Sequence, residues 1–308
     1  MLASKIKMIF SHFFHQGKKY LSWIGMGLGI LGIVFIVIKL KNYSSQVDLS
    51  NLSLAKWSAF IGLSLLYGIA SCSLLPLAWH HLLKYCGMRP NLAWSIRAYG
   101  LSQLAKYVPG NIFHLASRQA IGVSDGLPGQ PLAKSTILDL ILEAISGVFF
   151  SILILPSFIP DFSELYAFIL FIFSLSLYFF VIRRWWNREI AIASVIYTFF
   201  LTIAALIFYL ILIVILPANS LSHYSVLSIL GAYVVAWLVG LITPGAPGGA
   251  GVRELILYTL MHSWISQSDL LLAIIISRII TILGDCVFYG ISVILNKILP
   301  SEKFVIPK

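Results

Sequence analysis

Charge is scarce in this sequence. Only 10% of its 308 residues are Asp, Glu, Lys or Arg, while 59% are hydrophobic. An ordinary soluble domain carries roughly 25% charged residues, so a soluble fold of this length is excluded. Cysteine is scarce too. Cys72, Cys86 and Cys286 have neither the spacing of a disulfide framework nor that of a thiolate metal site. The histidine pairs His12/His15 and His80/His81 lack neighbouring Cys or carboxylate ligands and read as interfacial residues, so no metal is expected. The run Gly248-Gly249-Ala250-Gly251 has no accompanying lysine or strand signal, which excludes a nucleotide loop and leaves no cofactor motif.

What is present is a series of long apolar blocks, the signature of membrane-spanning helices. The expected fold is all-α: a polytopic integral membrane protein forming one membrane domain over residues 1–308, with short tails at about 1–20 and 298–308. Spans are expected at about 21–40, 57–79, 132–156, 162–182, 190–216 and 269–297, each long enough to cross a core of roughly 30 Å at 1.5 Å per residue. The first of these is too long for a signal peptide and ends in Lys39-Leu40-Lys41-Asn42 rather than a small-residue cleavage site.

The net charge of +10 is placed by topology rather than by a nucleic-acid surface. Lys5, Lys7, Lys18 and Lys19 precede the first apolar block; Arg183, Arg184 and Arg188 share one short loop; Lys297, Lys303 and Lys308 close the chain. No basic, aromatic-interleaved soluble region is present to hold a strand. Under the positive-inside rule both termini, the 80–131 stretch and the Arg183–Arg188 loop are cytoplasmic, in the plasma (inner) membrane. Lys41 and Lys56 stand on the wrong side of that assignment.

Two regions do not fit simple spans. Residues 92–122 hold Arg97, Lys106, Pro109-Gly110-Asn111 and Arg118; residues 225–265 run apolar to Thr243, break at a Pro/Gly cluster and resume with Arg253 and Glu254. Each reads as two helical arms joined by a break inside the membrane, which is tolerated only where protein or a water-filled cavity surrounds it. For the second region, two true spans are the alternative. The halves correspond at an offset of about 135 positions: Pro109 with Pro244, Gly110 with Gly245, Arg118 with Arg253, Glu143 with Arg278. Repeat 1 covers about 21–156 and repeat 2 about 162–297. Three crossings per half is an odd number, so the expectation is an inverted repeat with a site at the paired breaks, against the alternative of a chance correspondence.

Charged side chains at the centre of a membrane helix cost about 2.5–3.5 kcal/mol each on insertion scales. Asp139 and Glu143 lie one turn apart in one span, and Arg278 and Asp285 two turns apart in another with Thr281 between them. Two readings stay open: a structural ion-pair network, with Glu143 against Arg278, or a polar translocation path, with Glu254 as a further member. The helices that begin after Pro109-Gly110 and after Pro247-Gly248-Gly249 aim unpaired N–H groups into the membrane interior, and such N-termini attract anions. Gly251 lets a ligand approach the backbone, and Arg118, Arg253 and His114 suit a phosphate. The alternative is a pair of packing kinks with arginines snorkelling to headgroups.

Tyr107-Val108-Pro109-Gly110 leading to Arg118 and Gly122, Glu143 in the next span, and Pro247-Gly248-Gly249-Ala250-Gly251-Val252-Arg253-Glu254 resemble the lysylphosphatidylglycerol synthase transmembrane (flippase-domain) family. The resemblance covers about residues 20–297 and is most specific in the second string. It implies a lipid flippase-like fold with re-entrant helices and a role in moving phospholipids between leaflets. Related domains are fused to glycosyltransferases acting on polyprenyl phosphates. A soluble aminoacyltransferase domain is not found in this chain, so lysyl-lipid synthesis is not expected.

The expected function is a non-enzymatic lipid translocase that moves an anionic phospholipid or polyprenyl-phosphate-type lipid. Its partners are membrane lipids and not nucleic acid. Two alternatives stand beside it: an integral-membrane enzyme with Glu254 as its catalytic carboxylate, and a non-catalytic accessory subunit working with a partner enzyme of lipid or surface-glycan synthesis.

Overall fold

The computed structural model describes residues 53–108, 112–159, 161–217, 225–243 and 247–298. The expected first span at about 21–40, Lys5, Lys7, Lys18, Lys19, Lys303, Lys308, Pro109, Gly110, Asn111 and Pro244-Gly245 lie outside the described residues. Within them every regular element is helical. Five are long and apolar enough to cross a membrane, at Leu54–Tyr85, Gly129–Ser157, Glu164–Trp186, Arg188–Ile215 and Gln267–Ile298. These are the five expected spans that fall among the described residues.

The first of them, α1 (Leu54–Tyr85), starts where the Ser53 side chain accepts the Lys56 N–H, and it stops at Gly87. Gly87 has φ 81°, and its N–H reaches back to the Lys84 carbonyl at 3.0 Å, a left-handed cap that only glycine adopts without a Cβ penalty. The helix runs about two turns beyond the expected end at residue 79, because the polar residues there find partners. His80 Nδ1 lies 3.2 Å from Ser95 Oγ and His81 Nδ1 lies 2.6 Å from Glu189 Oε2.

The first broken region forms α2 (Leu92–Gln103), tightened into a 3₁₀ turn at Leu104–Tyr107, and α3 (Phe113–Ser124). Asn91 caps α2 by accepting the Trp94 N–H at 2.6 Å. The far end of α3 comes back to the start of α2: Asp125 accepts from Trp94 Nε1 at 2.8 Å and also pairs with Arg97. The two arms therefore make a hairpin with both ends on one side of the molecule.

After Pro128 the chain continues as α4 (Gly129–Phe149), ending in a 3₁₀ extension through Ser157, and then α5 (Glu164–Val181). The segment read as an Arg183–Arg188 loop is a tight corner instead. A π turn at Ile182–Trp186 prolongs α5, and only Asn187 separates it from α6 (Arg188–Ile215), whose Glu189 N–H its side chain accepts at 2.7 Å. An asparagine cap lets two helices meet without further loop residues.

The second broken region gives α7 (Val226–Ile242), a short turn at Pro247–Gly249 and α8 (Val252–Met261). Helix α7, at 17 residues, is shorter than each of the five spans, and α8 is shorter still at 10 residues. These arms also form a hairpin, α8 packing on α7. It starts beside the C-terminal extension of α4, where Ser228 Oγ donates to the Leu153 carbonyl. The last helix is α9 (Gln267–Ile298).

The long helices α1, α6 and α9 form the centre. With little hydrophobic drive between helices in lipid, close approach depends on small residues. At the crossing of α1 and α9, a methyl group on Gly68 would lie 2.8 Å from the Gly284 carbonyl oxygen. Trp79 is fully buried and stacks on Trp94 at 5.8 Å between ring centres, tying α1 to the first hairpin.

One end of the bundle gathers Lys84, Arg89, Lys134, Arg183, Arg184, Arg188 and Lys297; the other has Lys56, Asp161, Glu164 and Asp269. The first hairpin opens toward the basic end and the second toward the other. They meet between, where a methyl group on Gly248 would lie 3.4 Å from the Tyr107 ring.

Candidate functional site

Where the two breaks meet, the structure has a cavity of about 100 Å³, room for several water molecules. The first hairpin lines it with Tyr99, Gln103, Lys106, Tyr107 and His114, the second with Gly240, Gly248, Gly249 and Arg253. Helix α4 adds Glu143, and α9 adds Arg278, Thr281 and Asp285. A polar cavity this deep among apolar helices is costly unless its groups are paired or hydrated. Most of them are paired.

Asp285 is 0% exposed and accepts from three side chains of the first hairpin. Gln103 Nε2 donates to Oδ1 at 3.0 Å, the Tyr107 hydroxyl to Oδ2 at 2.5 Å, and Lys106 Nζ lies 2.7 Å from Oδ2. This carboxylate fastens the first break to α9. Arg278 fastens the second in the same way. Its Nε lies 2.7 Å from Glu254 Oε1, and its Nη2 donates to the Gly248 carbonyl at 2.9 Å. Each break is thus held by one charged residue of α9, two turns apart on the helix. Gly248 and Gly249 have φ of 57° and 70°, a backbone that presents the Gly248 carbonyl to Arg278 and that side-chain-bearing residues rarely adopt.

Several sequence expectations are corrected here. Glu143 does not pair with Arg278, which Glu254 holds; Glu143 is 9% exposed, lines the cavity and makes no hydrogen bond or ion pair among the described residues. Glu254 is ion-paired with Arg278, and its attraction to its sequence neighbour Arg253 is a weaker, longer-range one. Glu254 turns back to accept the Gly251 N–H at 2.5 Å, so the N-terminus of α8 already has an anion of its own, an intramolecular cap. The N-terminus of α3 has no side-chain cap at Ile112.

The two arginines expected to share one ligand are separated in role. Arg118 is 1% exposed and does not line the cavity. Its Nη1 donates to Asp139 Oδ2 at 2.7 Å, and its guanidinium lies 3.5 Å from the centre of the Tyr99 ring. Asp139 also accepts from the Tyr99 hydroxyl at 3.4 Å and from the Tyr197 hydroxyl. Arg253, 6% exposed, does line the cavity. It lies 4.5 Å from the centre of the Tyr233 ring, and its Nη2 is buried with no hydrogen-bond partner among the described residues. His114 is half-buried on the cavity wall, its Nδ1 likewise without a partner among them. Asp139 and Glu143, one turn apart in sequence, are divided between the Arg118 cluster and the cavity.

Gln103, Lys106 and Tyr107 are site residues that sequence reasoning missed. The signal available was the amphipathic polarity of Gln103 and Lys106 just before the Pro-Gly break; their target, Asp285, is 178 positions from Tyr107.

The strings that flank both breaks, together with this helical bundle, are diagnostic. The chain belongs to the family of the lysylphosphatidylglycerol synthase transmembrane region. The family model matches residues 22–287, which take in both hairpins, all five long described helices up to the middle of α9 and every cavity residue named above. No curated protein gives a match. Membership makes this a membrane protein linked to lipid metabolism.

Proposed function

We propose that the protein is a lipid translocase: it carries the headgroup of an anionic lipid between leaflets through the cavity between the two hairpins. One observation carries this reading. Two interrupted helices from opposite ends of the bundle meet at a cavity lined by ionisable side chains, the arrangement by which transporters place a binding site at mid-membrane. The cavity is too small for a phospholipid, so only the headgroup enters and the acyl chains stay in the bilayer. On this reading the hairpins are re-entrant and the halves form an inverted repeat. The order long helix, hairpin, long helix in α1–α4 recurs in α6–α9, with the second hairpin opening the other way. The basic end faces the cytoplasm. The lipid leaves chemically unchanged.

The test is transbilayer movement of short-chain fluorescent phosphatidylglycerol in proteoliposomes. Wild type moves the lipid faster than protein-free vesicles, and Thr281→Phe, which puts a ring into the cavity, returns the rate to the protein-free level while melting within a few degrees of wild type. Mass spectrometry of the recovered lipid shows no new product. Wild-type vesicles no faster than empty ones would refute translocation, and a converted lipid would favour an enzyme.

A further inference from the structure

The two hairpins share one arrangement around their arginines, and differ there in one respect. In each hairpin the second arm carries an arginine that lies over a tyrosine of the first arm, Arg118 at 3.5 Å from the Tyr99 ring centre and Arg253 at 4.5 Å from that of Tyr233. In the first half the next long helix supplies Asp139 as counter-ion. At the same offset of about 135 positions the second half has Ile274, and α9 has no acid between Asp269 and Asp285. Asp285 is engaged by Lys106, Gln103 and Tyr107, and Glu254 by Arg278 and the Gly251 N–H. Arg253 is left as a buried cation on the cavity wall, attracted by Glu254 at longer range but with no ion pair within 4 Å among the described residues and with Nη2 unpartnered among them.

Burying a guanidinium without an anion is costly. A purely structural arginine would be paired, as Arg118 is by Asp139. An arginine kept bare over a tyrosine face is a cation held in place for an anion that arrives from outside, and its planar fork matches the oxygens of a phosphate. The Tyr233 ring packs against the guanidinium and helps to hold it on the cavity wall.

We infer that Arg253 alone binds the phosphate-type group of the transported ligand, while Arg118 has become a structural residue neutralised by Asp139. This rests on the translocase reading for the identity of the ligand, but the anion site itself does not. Glu143 lines the same cavity with no hydrogen bond or ion pair among the described residues, so in its ionised form it opposes an anion there, limits affinity and favours release.

The experiment is thermal unfolding and native mass spectrometry of the purified full chain in detergent, with phosphatidylglycerol, diacylglycerol and inorganic phosphate as probes. Wild type binds and is stabilised by phosphatidylglycerol and not by diacylglycerol. Arg253→Gln weakens that binding at least tenfold, yet melts no lower than wild type without ligand, because it removes an uncompensated charge. Ile274→Asp, which restores the carboxylate found in the first half, abolishes binding, whereas Ile274→Asn does not; Glu143→Gln binds more tightly than wild type. Stabilisation by inorganic phosphate equal to that by lipid would uphold the anion site and refute the lipid reading above. The inference is overturned if Arg253→Gln binds phosphatidylglycerol as wild type does, or if it unfolds far below wild type in the absence of any ligand.

Discussion

Arginine buried in a membrane protein has two possible fates, and this chain shows both. Arg118 is enclosed by Asp139, Tyr99 and the indole of Trp79, whose ring centre lies 5.0 Å away. Removing one member of such a pair leaves a buried charge without compensation, which costs about 3–5 kcal/mol. Arg118→Gln is therefore expected to lower the melting temperature sharply, and Arg118→Met combined with Asp139→Leu to recover most of the loss. Additive losses in the double variant, measured by thermal unfolding in detergent, would show that the two side chains are not coupled. Arg253 is expected to respond in the opposite way, since its removal strands no ion-pair or hydrogen-bond partner among the described residues. The contrast between the two residues could not be read from their identical spacing after Pro109 and Pro244; it depends on which helix stands opposite each of them.

At the level of elements, the position of the hairpins is set by where long helices can approach. Glycine at 68 and 284 brings α1 and α9 into backbone contact, and α9 carries both Arg278 and Asp285, the residues that hold the two breaks. Widening the crossing thus displaces the site without touching it. Gly284→Leu, whose side chain would run into the Tyr67 ring and the Ser64 carbonyl, is expected to cost at least the ~1–3 kcal/mol of an overpacked core and, on the proposed function, to abolish lipid movement together with folding stability. Gly290→Leu, at a position where a methyl group would meet nothing within 4 Å, is expected to leave the melting temperature unchanged. Equal melting of the two variants would mean that the α1–α9 crossing does not organise the site. Helix ends were partly legible in sequence, because Ser53, Asn91, Asn187 and Ser225 are capping types in capping positions. The corner at Asn187 was not, because a π turn absorbs the charged residues that look like a loop.

For the molecule as a whole, the asymmetry of charge between the two ends gives an expected orientation, with the basic end toward the cytoplasm. The basic end includes Cys86, which follows α1 and is half-buried, whereas Cys72 and Cys286 lie within spans. A membrane-impermeant maleimide is expected to label Cys86 in inverted vesicles and not in intact cells. Labelling from the outside would reverse the orientation and the side from which each hairpin opens. The five described spans and the helical class were legible because lipid imposes a length and an apolarity on every crossing element. The hairpins were legible as broken segments because Pro and Gly clusters leave few other options in an apolar run.

The sequence by itself determined the class, the five described spans, the two interrupted regions and the family, since each of these depends on local composition or on a contiguous string of residues. Only the tertiary structure decided the pairing of the charges. Lys106 joins Asp285 across 179 positions of chain, Arg278 joins Glu254 rather than Glu143, and Arg253 is left facing the cavity without a partner among the described residues. The physical reason is that a buried charge is satisfied by whichever group the helix packing places within about 3 Å of it. That packing is set by small residues and ring contacts far from the charges in sequence.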